Sequence, residues 1–126
     1  MLFRSRARGR DRDSRLSDLV AKSWIDLQAL KWTNYRALTR LVETGAPGPE
    51  ASVPKLHWSE SNQRLTKLAL ELLGPAAQLD GEGGKWNGFF QYWQLRSRGN
   101  TIEAGTSEIL RNIVAERVVG LPKSAR

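Results

Sequence analysis

The sequence has no cysteine, a single histidine and no apolar run near the length that crosses a bilayer. Without cysteine there is no disulfide framework, no thiol nucleophile and no thiolate metal site. The lone imidazole, His57, has only scattered carboxylates around it, so no metal centre is expected. A helical membrane span needs roughly 18 or more apolar residues in a row, and none is present. Alternating strand patterns and internal repeats are also missing, which leaves an all-α chain as the expectation. The glycines at Gly81, Gly83 and Gly84 lack the Lys-Ser/Thr pair of a phosphate-binding Walker loop. These absences agree with a reducing setting, and a cytoplasmic location is expected.

What remains is a 126-residue chain, 40% hydrophobic, with enough apolar content for one domain and a modest core. Its net charge of +7 first suggests an anionic partner such as nucleic acid. The excess is concentrated at one end, however. Residues 1–15 hold six arginines against Asp11 and Asp13, leaving 14 basic and 11 acidic residues in the rest. Residues 1–12 are therefore read as a basic, disordered tail. Nucleic-acid binding is set aside, and the two aspartates weaken a transit-peptide reading.

Helix signals divide residues 13–126. Asp13 or Ser14 can cap a helix that runs to about Thr44, with Gly45 as its stop. Leu16, Leu19, Val20, Leu27, Leu30, Leu38 and Leu41 keep approximate helical spacing along it. "GAPGPEAS" is a rigid turn, since Pro47 and Pro49 forbid helix continuation. A second helix is expected from Glu50 or Ala51 to Leu73, stopped by Gly74-Pro75, with Leu56, Leu65, Leu68, Ala69, Leu72 and Leu73 as its apolar side. A loop to about Lys85 and a short helix should follow. Beyond Thr106 a third long helix is expected, carrying Leu110, Ile113, Val114 and Val118 and ending at Gly120 and Pro122. The fold class is an all-α bundle of antiparallel long helices.

Several constellations read as structural. His57 beside Trp58 suits surface or interface packing, because no nucleophile stands at a matching spacing. Trp86, Phe89, Phe90, Tyr92 and Trp93 suit core or interface packing better than nucleotide stacking. Glu103 and Glu108 are separated by a glycine turn, which argues against a glycosidase carboxylate pair.

Two stretches carry a resemblance. "TIEAGTSEILRNIVAERVVGLP" resembles the C-terminal signature of the acyl-CoA dehydrogenase family, and "PGPEASVPKLHWSESNQRLTKLALELLG" is similar to the preceding loop and helix of that family. The resemblance runs from about Gly9 to the end and covers only the last part of a family member. It implies the family's C-terminal helical domain, here incomplete, and an FAD-dependent α,β-dehydrogenation of acyl-CoA thioesters. By that resemblance Thr106, Ser107, Glu108, Leu72, Leu73 and Gly74 match FAD-contacting positions, and Gly105 a substrate-contacting one. Independently of it, free N–H groups at a helix start suit a phosphate-bearing ligand. A plain alternative treats Thr106 as an N-cap and Glu108 as a favourable first-turn acid.

The chain departs from the family pattern at two places. Ala104 occupies the common position of the catalytic base, so no catalytic residue is assigned, and Glu103 is not promoted in its stead. Glu71 and Pro75 replace an amide and a glycine of the turn before the flavin. The resemblance implies a chain inactive by itself, which needs the missing dehydrogenase domains or a partner subunit to bind FAD. A homo- or hetero-oligomer is expected. The alternative is a non-catalytic helical association module derived from the same family.

Overall fold

The computed structural model describes residues 13–79 and 81–123, so the tail expected over residues 1–12 lies outside the described residues. Four α-helices form the frame: α1 (Ser14–Thr44), α2 (Ser52–Leu73), α3 (Phe89–Asn100) and α4 (Ser107–Val114). No strand occurs among the described residues. The all-α expectation holds.

The first two helices begin and end where local chemistry dictates. The Asp13 carboxylate accepts from the backbone N–H of Arg15 and Leu16 at 3.0 and 3.2 Å, capping α1. Gly45 stops it with φ +72°, a left-handed cap that glycine adopts at least cost. A 3-10 turn, Pro49–Ala51, leads into α2. Pro54 falls in the first turn of α2, where a missing N–H breaks no ladder bond. The expected start of this helix moves only to Ser52.

The stretch expected as a loop carries short 3-10 turns at Gly74–Gln78 and Gly81–Gly83 and a left-handed turn within Lys85–Gly88. Trp86 and Asn87 both take φ +52°, and Trp86 meets the ring of Phe90 edge-on at 5.3 Å. The third long helix expected after Thr106 is corrected. Helix α4 has eight residues and widens into a π-helical turn over Ala115–Val119. Gly120, at φ +80°, then lets the Leu121 N–H reach the Ala115 carbonyl at 2.9 Å and close the end.

Helix α2 is the central element, in contact with α1, α3 and α4. Ion pairs Arg15–Glu71, Arg64–Asp26 and Arg40–Glu50 descend one helix as they climb the other, so α1 and α2 are antiparallel. These pairs are largely exposed and contribute about 0–1 kcal/mol each. They set register more than they stabilise.

The contact between α2 and α3 is polar. Ser97 is fully buried, its small side chain 3.3 Å from the Thr66 hydroxyl of α2, which lets the helices approach closely. Asn62 donates to Asn100 Oδ1 at 2.9 Å, Gln63 to Thr101 Oγ1 at 2.9 Å, and Thr66 to Gln94 Oε1 at 2.8 Å. This order again runs the two helices antiparallel. Sequence periodicity placed Leu65 in the core of α2, yet it is 50% exposed while Thr66 is buried. The buried apolar residues are only Leu16, Leu68, Ala69, Leu73 and Leu110 among the described residues. The expected apolar stripe of α1 instead leaves Leu27, Leu38 and Leu41 exposed.

The close α2–α3 approach can be tested directly. Ser97→Val should destabilise the chain by about 1–3 kcal/mol, since it overfills a tight contact and removes a hydroxyl from the seam. Leu95→Ser, at a position 75% exposed, should stay within about 0.5 kcal/mol of the parent. Urea unfolding of both variants makes the comparison, and equal midpoints would disprove the tight seam.

Candidate functional site

The segment from Thr101 to Ser107 joins α3 to α4 and carries most of the residues singled out in the sequence. Ile102 and Glu103 both donate backbone N–H bonds to the Gly99 carbonyl, at 3.0 and 2.9 Å, so α3 closes with a tight turn. The chain then reverses through two left-handed residues, Ala104 at φ +54° and Gly105 at φ +98°. Glycine suits such a backbone; alanine does not, at a cost of about 1–2 kcal/mol. Ser107 N–H returns to the Thr101 carbonyl at 3.0 Å and closes the loop.

Thr106 is the N-cap of α4, its hydroxyl accepting from Ile109 N–H at 3.4 Å. Glu108 is exposed, and its carboxyl lies below the ordinary range. Its own backbone N–H is the main cause and the Thr106 hydroxyl the next. Of the N–H groups expected to be free at this helix start, that of Ser107 meets the Thr101 carbonyl and that of Ile109 the Thr106 hydroxyl.

A different donor is available. Ser107 is 6% exposed, and its hydroxyl is buried with no hydrogen-bond partner. An unsatisfied buried hydroxyl costs about 1–3 kcal/mol. The residue, though not its hydroxyl, borders an open cavity of about 460 Å³, walled by Glu60, Gln63 and Arg64 of α2, Thr101, Ile102, Thr106, Glu108 and Arg111. Arg111 is paired with Glu60 and Arg64 with Asp26, so the wall is polar and carries both signs of charge. The guanidinium groups of Arg64 and Arg111 share this wall with the carboxylates of Glu60 and Glu108, and the cavity stays open on its outer side.

Other candidates are placed elsewhere. Leu73 is buried in the core, Leu72 lines an apolar groove of about 620 Å³ between α1, α2 and α3, and Gly74 caps α2. Gly74 N–H is engaged by the carbonyls of Glu71 and Leu70. On α2, Leu72 is eight residues beyond Arg64, or roughly 12 Å along the axis. One copy of the chain thus keeps the 72–74 group apart from the 105–108 group. Glu71, whose charge stood out in the sequence, is paired with Arg15 at 3.0 Å.

Neither residue at the expected base position can abstract a proton readily. Ala104 offers only a methyl group. The carboxylate of Glu103 is held below the usual range, first by hydrogen bonds from Arg96 and Asn100, with smaller contributions from the charges of Arg96 and Lys55. Because its folded pKa is depressed, this pairing stabilises above the ordinary carboxylate range and is lost as pH falls through and below it. His57, the chain's one imidazole, has a buried Nε2 without a hydrogen bond, 3.8 Å from Asp26 Oδ1. It lines neither cavity described above.

Sequence reasoning passed over Lys55. Its ammonium donates to the Gly105 carbonyl at 2.7 Å across 50 residues of chain. A lysine after Pro54 in a helix start gives no signal of so distant an acceptor.

The model of the acyl-CoA dehydrogenase C-terminal domain matches residues 4–119. The chain belongs to this family. Acyl-CoA dehydrogenase IpdE1 of Mycolicibacterium smegmatis is 38% identical over 117 residues, covering 90% of this chain and 27% of that protein. A variant of the Tcur3481-Tcur3483 steroid ACAD shares the fold at TM-score 0.83 and 24% identity, over 98% of this chain and 33% of its own. The ChsE4-ChsE5 complex from Mycobacterium tuberculosis matches at TM-score 0.76 and 24% identity, over 89% and 29%. The chain corresponds to the acyl-CoA dehydrogenase C-terminal helical domain and spans about a quarter of the length of that curated relative.

The left-handed alanine generates a prediction. Ala104→Gly should raise stability by about 1 kcal/mol, by relieving the cost of positive φ at a residue with a Cβ. Thermal or urea unfolding measures it. A loss of stability would contradict the turn geometry.

Proposed function

We propose that this chain supplies the C-terminal helical part of an FAD-dependent acyl-CoA dehydrogenase, and that the start of α4 forms one wall of its flavin and substrate site. The observation that carries the reading is the polar cavity between α2 and the start of α4, with the unpartnered Ser107 hydroxyl buried behind its wall. Thr106, Ser107 and Glu108 would face FAD and Gly105 the acyl-CoA. The flavin, when bound, supplies the hydride acceptor for α,β-dehydrogenation. Ser107 would donate to the ligand, Thr106 would keep the helix start capped, and the Gly105 turn would shape the approach to it. The Leu72–Gly74 group lies on a separate face, so its contact with FAD would involve a different part of the assembly.

The proton acceptor must come from outside this chain, since Ala104 has none and Glu103 is tied to Arg96 and Asn100. The rest of the site would be contributed by the dehydrogenase domains that this sequence does not span or by a partner subunit. The surface supports such an association. Trp24, Trp32 and Val42 on α1 are 62%, 62% and 77% exposed, more apolar exposure than a free-standing helix face usually carries. The two-protein designations of the ChsE4-ChsE5 and Tcur3481-Tcur3483 neighbours agree with a partner subunit. A non-catalytic association module is the second reading, and the same exposed residues favour it.

The test joins the chain to a polypeptide carrying the remaining acyl-CoA dehydrogenase domains. Alone, the chain should be colourless after desalting and should not reduce dye with acyl-CoA. In the complex, Ser107→Ala should weaken FAD retention by about 0.5–1.5 kcal/mol, the usual worth of a hydrogen bond. The same substitution should leave the stability of the isolated chain unchanged or raised, because it removes an unpaired hydroxyl. A complex that holds flavin equally well with alanine at this position would leave the association module as the better reading.

A further inference from the structure

We infer that Lys55 is a positioning residue, a cationic clamp from α2 that holds the Ala104–Gly105 turn in its left-handed geometry. What the turn is held for rests on the flavin-site reading above; the clamp itself rests on contacts within the chain. Gly105 precedes the N-cap of α4, so its carbonyl receives no intrahelical N–H; the first ladder bond runs from Leu110 N–H to the Thr106 carbonyl at 3.0 Å. Lys55 takes the Gly105 oxygen, at 2.7 Å and partly buried.

The remaining restraints on the turn are unequal. The bond from Ser107 N–H to the Thr101 carbonyl is internal to the segment and ties it to nothing else. Gln63 fixes the near end, donating to Thr101 Oγ1 at 2.9 Å. Lys55, eight residues earlier on α2, fixes the far end. The two side chains together suspend residues 101–105 from one rigid helix. Ala104, at φ +54°, pulls against them, because its backbone favours a right-handed or extended state. A charged donor on a carbonyl is stronger than a neutral one, which suits a strained segment. Without the ammonium, Glu103 would stay bound to Arg96 and Asn100. The Gly105 end of the turn, however, would lose its tie to α2 and be free to relax, and Ser107 would move with it.

Two variants of the full chain, Lys55→Met and Lys55→Arg, test this by amide hydrogen exchange. Methionine keeps an unbranched stem and removes the charge; arginine keeps a cationic donor. In Lys55→Met the Ser107 amide should exchange at least about tenfold faster, as expected for losing a hydrogen bond to a charged group. The Leu68 and Ala69 amides in the core of α2 should be unchanged. Lys55→Arg should restore most of the protection, and Ala104→Gly added to Lys55→Met should restore part of it by relieving the strain. Unchanged Ser107 exchange in Lys55→Met, or an equal acceleration at Leu68 and Ala69, would overturn the clamp. FAD retention in the partnered complex separates the two claims. Faster Ser107 exchange with parental flavin binding upholds the clamp and removes the flavin role of the turn.

Discussion

The placement of every candidate residue depends on how closely α3 can lie against α2. At that contact lies Ser97, which leaves no surface exposed and stands 3.3 Å from the Thr66 hydroxyl. A side chain this small removes the spacer that a leucine would impose. The polar groups beside it, Asn62, Gln63 and Thr66, are then near enough to bond Asn100, Thr101 and Gln94. A polar seam is less adaptable than an apolar one, because a shift of one turn would strand several buried donors. Register between the helices is therefore fixed, and with it the point at which α3 ends. The turn at Ala104 and the start of α4 inherit their position from that seam.

Helix limits were legible because their signals are local. Asp13 and Gly45 bound α1 through a side-chain cap and a left-handed residue, each recognisable by type alone. The core was less legible. Helical spacing marks Leu27, Leu38 and Leu65 as one apolar side but does not say what covers it, and in this chain these residues are exposed. The residues that do pack between helices, Ser59, Thr66, Ser97 and Asn100, read in the sequence as solvent-facing. Hydropathy registers polarity, whereas their burial follows from size and from bonds to partners some 30 to 40 residues away. The length of α4 was overestimated because Val118 continues the helical spacing through a turn that has widened to a π-helix.

The site divides in the same way. The Gly-Thr-Ser segment stood out through its family resemblance, and the cap at Thr106 followed from residue type. The engagement of the Ser107 N–H could not be read, since it depends on Thr101 returning a carbonyl. Nor could the isolation of the Ser107 hydroxyl. An orphaned donor is a property of everything that fails to approach it, and no motif records that. The separation of Leu72–Gly74 from the 105–108 segment was hidden for a simpler reason: chain order says nothing about which face of α2 each group uses.

The two readings of the chain place different demands on its polar groups. An association module needs complementary apolar faces, and the exposed residues of α1 supply them. It has no use for a buried hydroxyl left unbonded, or for an ammonium drawn to the carbonyl of a strained turn. Both features oppose stability unless something else meets them, since an unpaired hydroxyl and a left-handed alanine each cost about 1 kcal/mol or more. A ligand that accepts from Ser107 would recover the first cost on binding. It would also find the turn already held by Gln63 and Lys55, so little ordering would remain to oppose binding. On the proposed reading the apolar faces and the polar corner would serve one assembly: the former would meet the rest of the dehydrogenase, and the latter would complete one wall of its site.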